Sequence, residues 1–256
     1  GYLLLLQEVL MKVLLLDLES SPNTAHVWGL WEQNIGLNQL MESSYVLCWA
    51  AKWLGEKPIH FDSLHRSSAK KMLRGIHDLL HRADTVIHYN GTKFDIPTLN
   101  KEFILHGMDQ PAPYRQMDLL QVARRQFKFA SNRLDYVAQA LGVGRKTRHE
   151  GHELWVKCMN NDPQAWRKME RYNKNDVVIM EKVYYKLRPW MKGHTNYALY
   201  VPGIGVCCPR CGADHSTKQG FAYTSAGKYQ QYQCKACHGW FRSSKNLVHG
   251  ERYLSV

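Results

Sequence analysis

The first 200 residues hold only Cys48 and Cys158 of the chain's seven cysteines. That scarcity excludes a disulfide-stapled scaffold over most of the chain. No apolar run approaches the ~18 residues needed to cross a bilayer, so no transmembrane helix is expected. Residues 1–10 lack a basic leader and a small-residue cleavage site, which argues against a signal peptide. Two readings of them stand level: added residues before a natural start at Met11, or a native first strand or short helix. Acids are also scarce, with 22 Asp and Glu against 34 Lys and Arg and a net charge of +12. Such an excess favours an anionic partner, nucleic acid ahead of an acidic membrane surface. Internal repeats and low-complexity tracts are missing. Apolar residues make up 45% of the 256 positions, enough for a buried core. The length suits one domain of about 190 residues plus a small appendix.

Residues 12–18 form a nearly continuous apolar run, which reads as a central strand buried on both faces. Residues 25–32 and 45–49 read as two further strands, hairpin neighbours of the first. The 3.6-residue period predicts a helix over 67–82, and residues 85–89 a short strand broken by Asn90-Gly91. A helix is expected to begin around 95–97. Residues 117–122 read as a strand running into a helix. A helix over 134–141 is expected to be capped by Ser131 or Asn132 and closed by Gly142. Residues 144–151 read as a basic loop. The longest helix is expected over 163–188, opened by Pro163 and stopped by Pro189. Together these predict a mixed-sheet α/β domain flanked by helices over 1–192, a linker over 193–205 and a small domain over 206–256.

Asp17 and Glu19 sit at i and i+2 on the first strand, so they share one face. A divalent cation is the simplest partner that makes such a pair favourable; a solvated acidic edge is the ordinary alternative. Asn90 lies at a strand end and Asp95 five residues later at a helix start. Singly, they are a turn former and a helix cap. Tyr172 and Asp176 are one helical turn apart on a mostly apolar stripe, where an unpartnered Asp is costly. The ordered set is far more specific than its members.

With Asp-x-Glu, Asn-x4-Asp and Tyr-x3-Asp in that order, the chain resembles the DnaQ-like, ribonuclease H-fold 3′–5′ exonucleases of the DEDD superfamily, in the tyrosine branch. Arg171 stands where the histidine branch carries His. The resemblance covers about residues 12–190. Around Leu134-Asp135-Tyr136-Val137-Ala138 and Leu187-Arg188-Pro189-Trp190 the chain is similar to proofreading domains of family B DNA polymerases, although a cysteine-bearing tail follows instead of a polymerase domain. The resemblance implies a ribonuclease H-like fold and four metal-binding acids, Asp17, Glu19, Asp95 and Asp176, holding two Mg²⁺ or Mn²⁺. It implies that Asp17 bridges both ions, that Glu19 and Asp176 complete the nucleophile side, and that Asp95 acts at the second ion. Tyr172 would orient the attacking water, and Asn90 the terminal nucleotide or a water.

Eight Lys and Arg against two acids between 115 and 148 suggest a surface for phosphates, with Arg124, Arg125 and Lys146 as candidates. Lys93 is another, equally readable as a solvated lysine. Phe127 and Phe129 are expected in the core ahead of stacking on bases. His149 and His152 read as loop or phosphate contacts ahead of metal ligands.

The remaining five cysteines crowd into 207–237. Cys208-x-x-Cys211 and Cys234-x-x-Cys237 are the spacing of a tetrahedral thiolate site for one structural Zn²⁺. The segment resembles a zinc ribbon with two strands, 221–224 and 229–233. Cys207 is surplus, and His238 an alternative ligand in principle. Seven Lys or Arg against two acids between 201 and 256 suit either nucleic acid or a protein-docking role. Such cysteine usage fits a reducing compartment, so a cytoplasmic location is expected, the host cytoplasm if the chain is phage-encoded. The expected activity is a metal-dependent 3′–5′ exonuclease on single-stranded DNA that releases 5′-mononucleotides. RNA trimming, an inactive nucleic-acid-binding or recruitment factor, and a flap endonuclease are the alternatives.

Overall fold

The computed structural model describes residues 11–201, 205–251 and 253–254. Both readings of residues 1–10, and part of the expected linker, fall outside that range. The chain divides into two compact units, Lys12–Val183 and a second that begins at Tyr184. Among the described residues no helix is long and apolar enough to cross a membrane.

The first unit runs β1 (Val13–Ser20), β2 (Thr24–Ala25), β3 (Leu40–Glu42), β4 (Val46–Trp53), β5 (His60–Ser63), α1 (Ala69–His81), β6 (Thr85–His88), α2 (Asp95–Leu105), β7 (Arg115–Asp118), α3 (Leu119–Gln126), α4 (Leu134–Ala140), α5 (His152–Met159) and α6 (Pro163–Leu187). Five strands form a mixed sheet in the order β5-β4-β1-β6-β7. β1 lies at its centre, antiparallel to β4 and parallel to β6. Helices cover the sheet, as the periodicity predicts for a strand apolar on both faces. Alternation sends Leu14 and Leu16 into a core with Met72, Leu73 and Ile76 of α1 and Leu99 and Phe103 of α2. The odd positions of β1, Asp17 and Glu19, therefore face the other way. On that side Leu47 and Cys48 of β4 pack with Leu154 and Cys158 of α5 and with Trp166, Met169 and Tyr172 of α6. Gly75 lets α1 approach the sheet: a Cβ there would sit 3.0 Å from the Trp49 ring. α6 opens with Pro163, and the Asp162 carboxylate accepts from Gln164 N at 2.7 Å.

Several expectations need correction. The strand over 25–32 is only Thr24–Ala25, paired with β3 in a two-stranded ribbon. Beyond it the chain is a loop that leaves Trp28 99% exposed. Both edges of β1 are taken by β4 and β6, so the aromatic run has no free neighbour to pair with, and Gly29 interrupts it. The hairpin partner of β1 is instead β4, which extends to Trp53. Arg133 occupies the cap position of α4, in place of Ser131 or Asn132; the Ser131 hydroxyl only accepts from Arg133 N at 3.3 Å. Phe127 and Phe129 are half-buried, 5.4 Å apart, and do not belong to the core.

The second unit contains β8 (Ser216–Thr224), β9 (Gly227–Cys234) and β10 (Trp240–Asn246), an antiparallel sheet in the order β10-β9-β8. Its apolar core is small: Cys208, Cys234 and Cys237, with Cys211, Ala213 and Phe241 against them. The molecule is thus a mixed α/β sheet flanked by helices, with a separate small cysteine-rich module of the zinc-ribbon kind.

Candidate active site

Asp17 and Glu19 lie near the end of β1, where the β1–β4 register shifts between Glu19 and Ser20. Such a bulge ends regular pairing and re-aims side chains. Against them α6 places Tyr172, Asn173 and Asp176. Carboxylate oxygens of Asp17, Glu19 and Asp176 lie within 4.8 Å of one another. Asp95 is not in that group. It sits at the first turn of α2, and its Oδ1 accepts from Leu18 N at 3.2 Å. Its charge nonetheless reaches both β1 acids.

The electrostatics follow from this crowding. Burial raises the Asp17 carboxyl well above its ordinary value, and Asp176, Glu19 and Asp95 push it further. Burial lifts Glu19 to about 8 against the pull of Lys146, and Asp95 to about 6. Asp176 is wholly buried, and that burial raises it too. Among the described residues one lysine answers the cluster: Lys146 Nζ stands 2.5 Å from Asp176 Oδ2 and donates to the Tyr172 hydroxyl at 2.9 Å. Burial pulls this ammonium down, but Asp176 and Asp17 outweigh it and keep it charged. The expected strand-binding lysine is therefore drawn into the acid cluster itself. Asp135 fixes its loop by accepting from Lys146 N at 2.6 Å.

Burial also keeps the Tyr172 phenol protonated. Its ring meets His149 edge-on at 4.7 Å and Trp155 at 6.0 Å, so His149 serves as packing here. The Trp155 side chain also favours the charged form of Glu19.

Asn90 adopts φ +71°, a conformation that Asn tolerates better than most residues. Its N–H donates to Asp118 Oδ1 at 2.9 Å. The next position must be glycine, because a Cβ on Gly91 would lie 2.5 Å from the His88 ring. Gly91 N donates to His88 Nδ1 at 3.1 Å, so the proton of this neutral imidazole sits on Nε2, facing Gln116 Oε1 at 3.2 Å. Burial, outweighing the Asp118 carboxylate, holds His88 below its ordinary value.

A cavity of about 530 Å³ opens beside the acids, lined by Asp17, Tyr89, Asn90, Arg124, Asn132 and Lys146 among others. Arg125 and Lys93 are exposed and do not line it. A larger hollow of about 770 Å³ runs beside α5 and α6 but contains none of the four acids, and Lys168 and Lys174 in it are paired with Glu150 and Glu170.

Asn173 carries a role that the sequence reading did not assign. It is fully buried, and its Nδ2 donates to Asp17 Oδ2 at 2.7 Å and to Asp17 O at 3.2 Å. Asp118 and Asp135, which orient Asn90 and Lys146, are further supports. Their signal in the sequence is weak: a polar residue within an apolar stripe for Asn173, and a lone acid among bases for the other two.

The donor sets fit the metals that the motifs imply. Hard carboxylate oxygens suit Mg²⁺ or Mn²⁺. Asp176 Oδ1 is buried without a hydrogen-bond partner among the described residues, and a single lysine does not neutralise the cluster. In the cysteine module, the four sulfurs of Cys208, Cys211, Cys234 and Cys237 lie within 4.8 Å of one another. The Cys208–Cys237 and Cys211–Cys234 sulfur pairs are each 3.7 Å apart. Zinc–sulfur bonds of ~2.3 Å in a tetrahedron give edges of about 3.8 Å. Cys207 stays outside, its thiol donating to Gly212 O at 3.1 Å.

Residues 36–188 match the RNase_H superfamily. The matched span holds Asp95, Tyr172 and Asp176 and begins after Asp17 and Glu19. No curated protein matches the chain in sequence. Among solved structures, the family B DNA polymerase from the hyperthermophilic archaeon Pyrobaculum calidifontis is similar in fold, with a TM-score of 0.54 at 18% identity, covering 70% of this chain and 25% of that one. The chain thus spans about a quarter of that polymerase's length.

Proposed function

The chain belongs to the RNase_H superfamily, and from that premise we propose that it is a metal-dependent 3′–5′ exonuclease of the tyrosine branch that removes 5′-mononucleotides from single-stranded DNA. The observation that carries the reading is the convergence of Asp17, Glu19 and Asp176 from a strand and a helix far apart in sequence, with Asp95 beside them. Two divalent cations, when bound, supply activation of water and neutralisation of charge on the leaving oxygen. Asp17, Glu19, Asp95 and Asp176 hold them in this proposal. Asn173 fixes the Asp17 carboxylate. The protonated Tyr172 hydroxyl orients the attacking water instead of removing its proton. Lys146, which is paired with Asp176, would be available to a substrate phosphate once that carboxylate binds a cation. Asn90 and Arg124 meet the 3′-terminal nucleotide in the groove, while Lys93 and Arg125 contact the strand beyond it through charge alone. The proposal also assigns residues 1–192 to the nuclease domain, 193–205 to a linker and 206–256 to a domain built on one structural Zn²⁺.

Digestion of end-labelled single-stranded DNA and RNA with Mg²⁺ or Mn²⁺ tests it. Ladders that shorten from the 3′ end, faster on DNA, are expected. Asp17→Ala should slow them at least ~10³-fold, about 4 kcal/mol of transition-state stabilisation. Cutting of circular single strands would replace the exonuclease by an endonuclease. Tight binding without release of nucleotides would leave a binding factor.

A further inference from the structure

The cysteine module carries a feature that a structural zinc does not explain. Residues 216–246 contain Lys218, Lys228, Lys235, Arg242 and Lys245 and no Asp or Glu. None of these cations is in an ion pair among the described residues. The β8–β9 register sets Tyr223 opposite Lys228, Phe221 opposite Gln230 and Lys218 opposite Tyr232. Phe241 of β10 lies opposite Tyr232, their rings stacked at 5.4 Å. Residues directly opposite share a face, and alternate residues along a strand share it too. One face of the sheet therefore presents Lys218, Phe221, Tyr223 and Lys228, and ends at the half-buried Tyr232–Phe241 stack, where Phe241 packs on the cysteine core. Tyr223 is 70% and Phe221 42% exposed. Lys228 Nζ hovers 4.0 Å over the Phe221 ring and 5.7 Å from that of Tyr223.

Exposed aromatics on a sheet are costly in water unless something covers them. A protein partner would meet this face with acidic and apolar groups. Flat rings interleaved with unpaired cations, on a segment without acids, match a chain of bases and phosphates more closely. The rings stack on bases and the ammonium groups meet the backbone. We propose that this face of the β8–β10 sheet is a binding surface for single-stranded DNA, separate from the acid cluster. The preference for DNA over RNA rests on the proposed function; the surface itself does not.

Binding of fluorescein-labelled dT20, rU20 and an abasic 20-mer, read by anisotropy, tests the surface. The full chain carries Asp17→Ala so that the strands stay intact. Adding Phe221→Ala with Tyr223→Ala should weaken dT20 binding about tenfold, the usual scale of losing base stacking, and barely change the abasic strand. Adding Lys218→Gln with Lys228→Gln should reduce the slope of log K against log salt by about 1.4, ~0.7 for each cation. Arg242→Gln, whose guanidinium lies over Tyr229 on the opposite face, should change neither. Circular dichroism and protection of the zinc-site thiols from alkylation check that each variant is folded. If the alanine pair fails that check, Phe221→Leu with Tyr223→Leu replaces it. Unchanged dT20 binding in both double variants would overturn the surface and leave it to a protein partner. Tighter binding of rU20 than dT20 would overturn the assignment to DNA. Hydrolysis is not read, so loss of the exonuclease reading would leave this result standing.

Discussion

The two clusters that could hold a metal are built in opposite ways. The acid cluster gathers Asp17 and Asp176 from the centre of a sheet and the middle of a helix, inside a unit with an extensive apolar core. The cysteine cluster takes all its ligands from 30 consecutive residues, Cys208 to Cys237, and is itself most of the local core. In the first region the fold forces like charges together, and in the proposed function a metal would relieve them. In the second the proposed zinc would replace a core that the segment is too short to supply. Removing metal should therefore cost the first region its chemistry and the second its structure.

The largest effect expected from that contrast is loss of zinc. A strong thiol-site chelator, or Cys234→Ser, should unfold the β8–β10 module completely, since structural zinc contributes on the order of 10 kcal/mol. Limited proteolysis should then trim the chain back toward α6, while the helical circular dichroism of Lys12–Val183 persists. Co-unfolding of both regions would break the contrast.

Asn173 sharpens it on the other side. Asn173→Leu removes the donor to Asp17 and leaves the carboxylate unsupported. A fall in kcat of about tenfold with KM little changed is expected, together with a stability loss of about 1–3 kcal/mol for the buried group left unpaired. Asn173→Asp should be worse than Leu, because it adds another charge to the cluster. The mononucleotide ester thymidine 5′-p-nitrophenyl phosphate reads this effect without strand binding.

The smallest effect concerns pH. In the second unit His194 donates from Nδ1 to Thr195 O at 2.6 Å and accepts from the Tyr184 hydroxyl at Nε2, 2.9 Å away. Burial holds its pKa down to about 4 against an ordinary 6.5. The unfolded chain binds the proton more readily, so the His194 contribution is complete above pH 6.5 and is lost as pH falls toward 4. The melting midpoint of the wild type should drop more than that of His194→Gln between pH 7 and 5. Parallel curves would refute the buried neutral imidazole.

The pairs within the acid site were legible because two simple periods generate them; that they meet in one pocket with Asp95 was implied only by the family resemblance. Alternation along β1 put Asp17 and Glu19 on one face, and one helical turn joined Tyr172 to Asp176. Asn173 was illegible because its partner lies 156 residues away and the residue sits in an otherwise apolar stripe. Lys146 looked like any other cation of a basic loop until the cluster it pairs with was assembled. In the sheet, β5 has a single large apolar residue, Phe61, and α5 little more than two turns, too little for a periodic signal. Residues 26–32 erred the other way: strand-forming residue types without a strand to pair with. β10 was missed in the ribbon because its exposed and half-buried residues give no apolar alternation.

The central claim is that the acids hold hard cations against the scissile phosphate, and metal-specific rescue tests it most directly. Single-stranded DNA with one phosphorothioate diastereomer at the 3′-terminal linkage is digested in Mg²⁺ and in Mn²⁺. The account expects at least a ~10-fold slowing in Mg²⁺ that Mn²⁺ restores, because the softer ion accepts sulfur more readily, with neither rate measurable in Asp17→Ala. Equal rates on oxygen and sulfur linkages in both metals, or a rescue that survives Asp17→Ala, would contradict it.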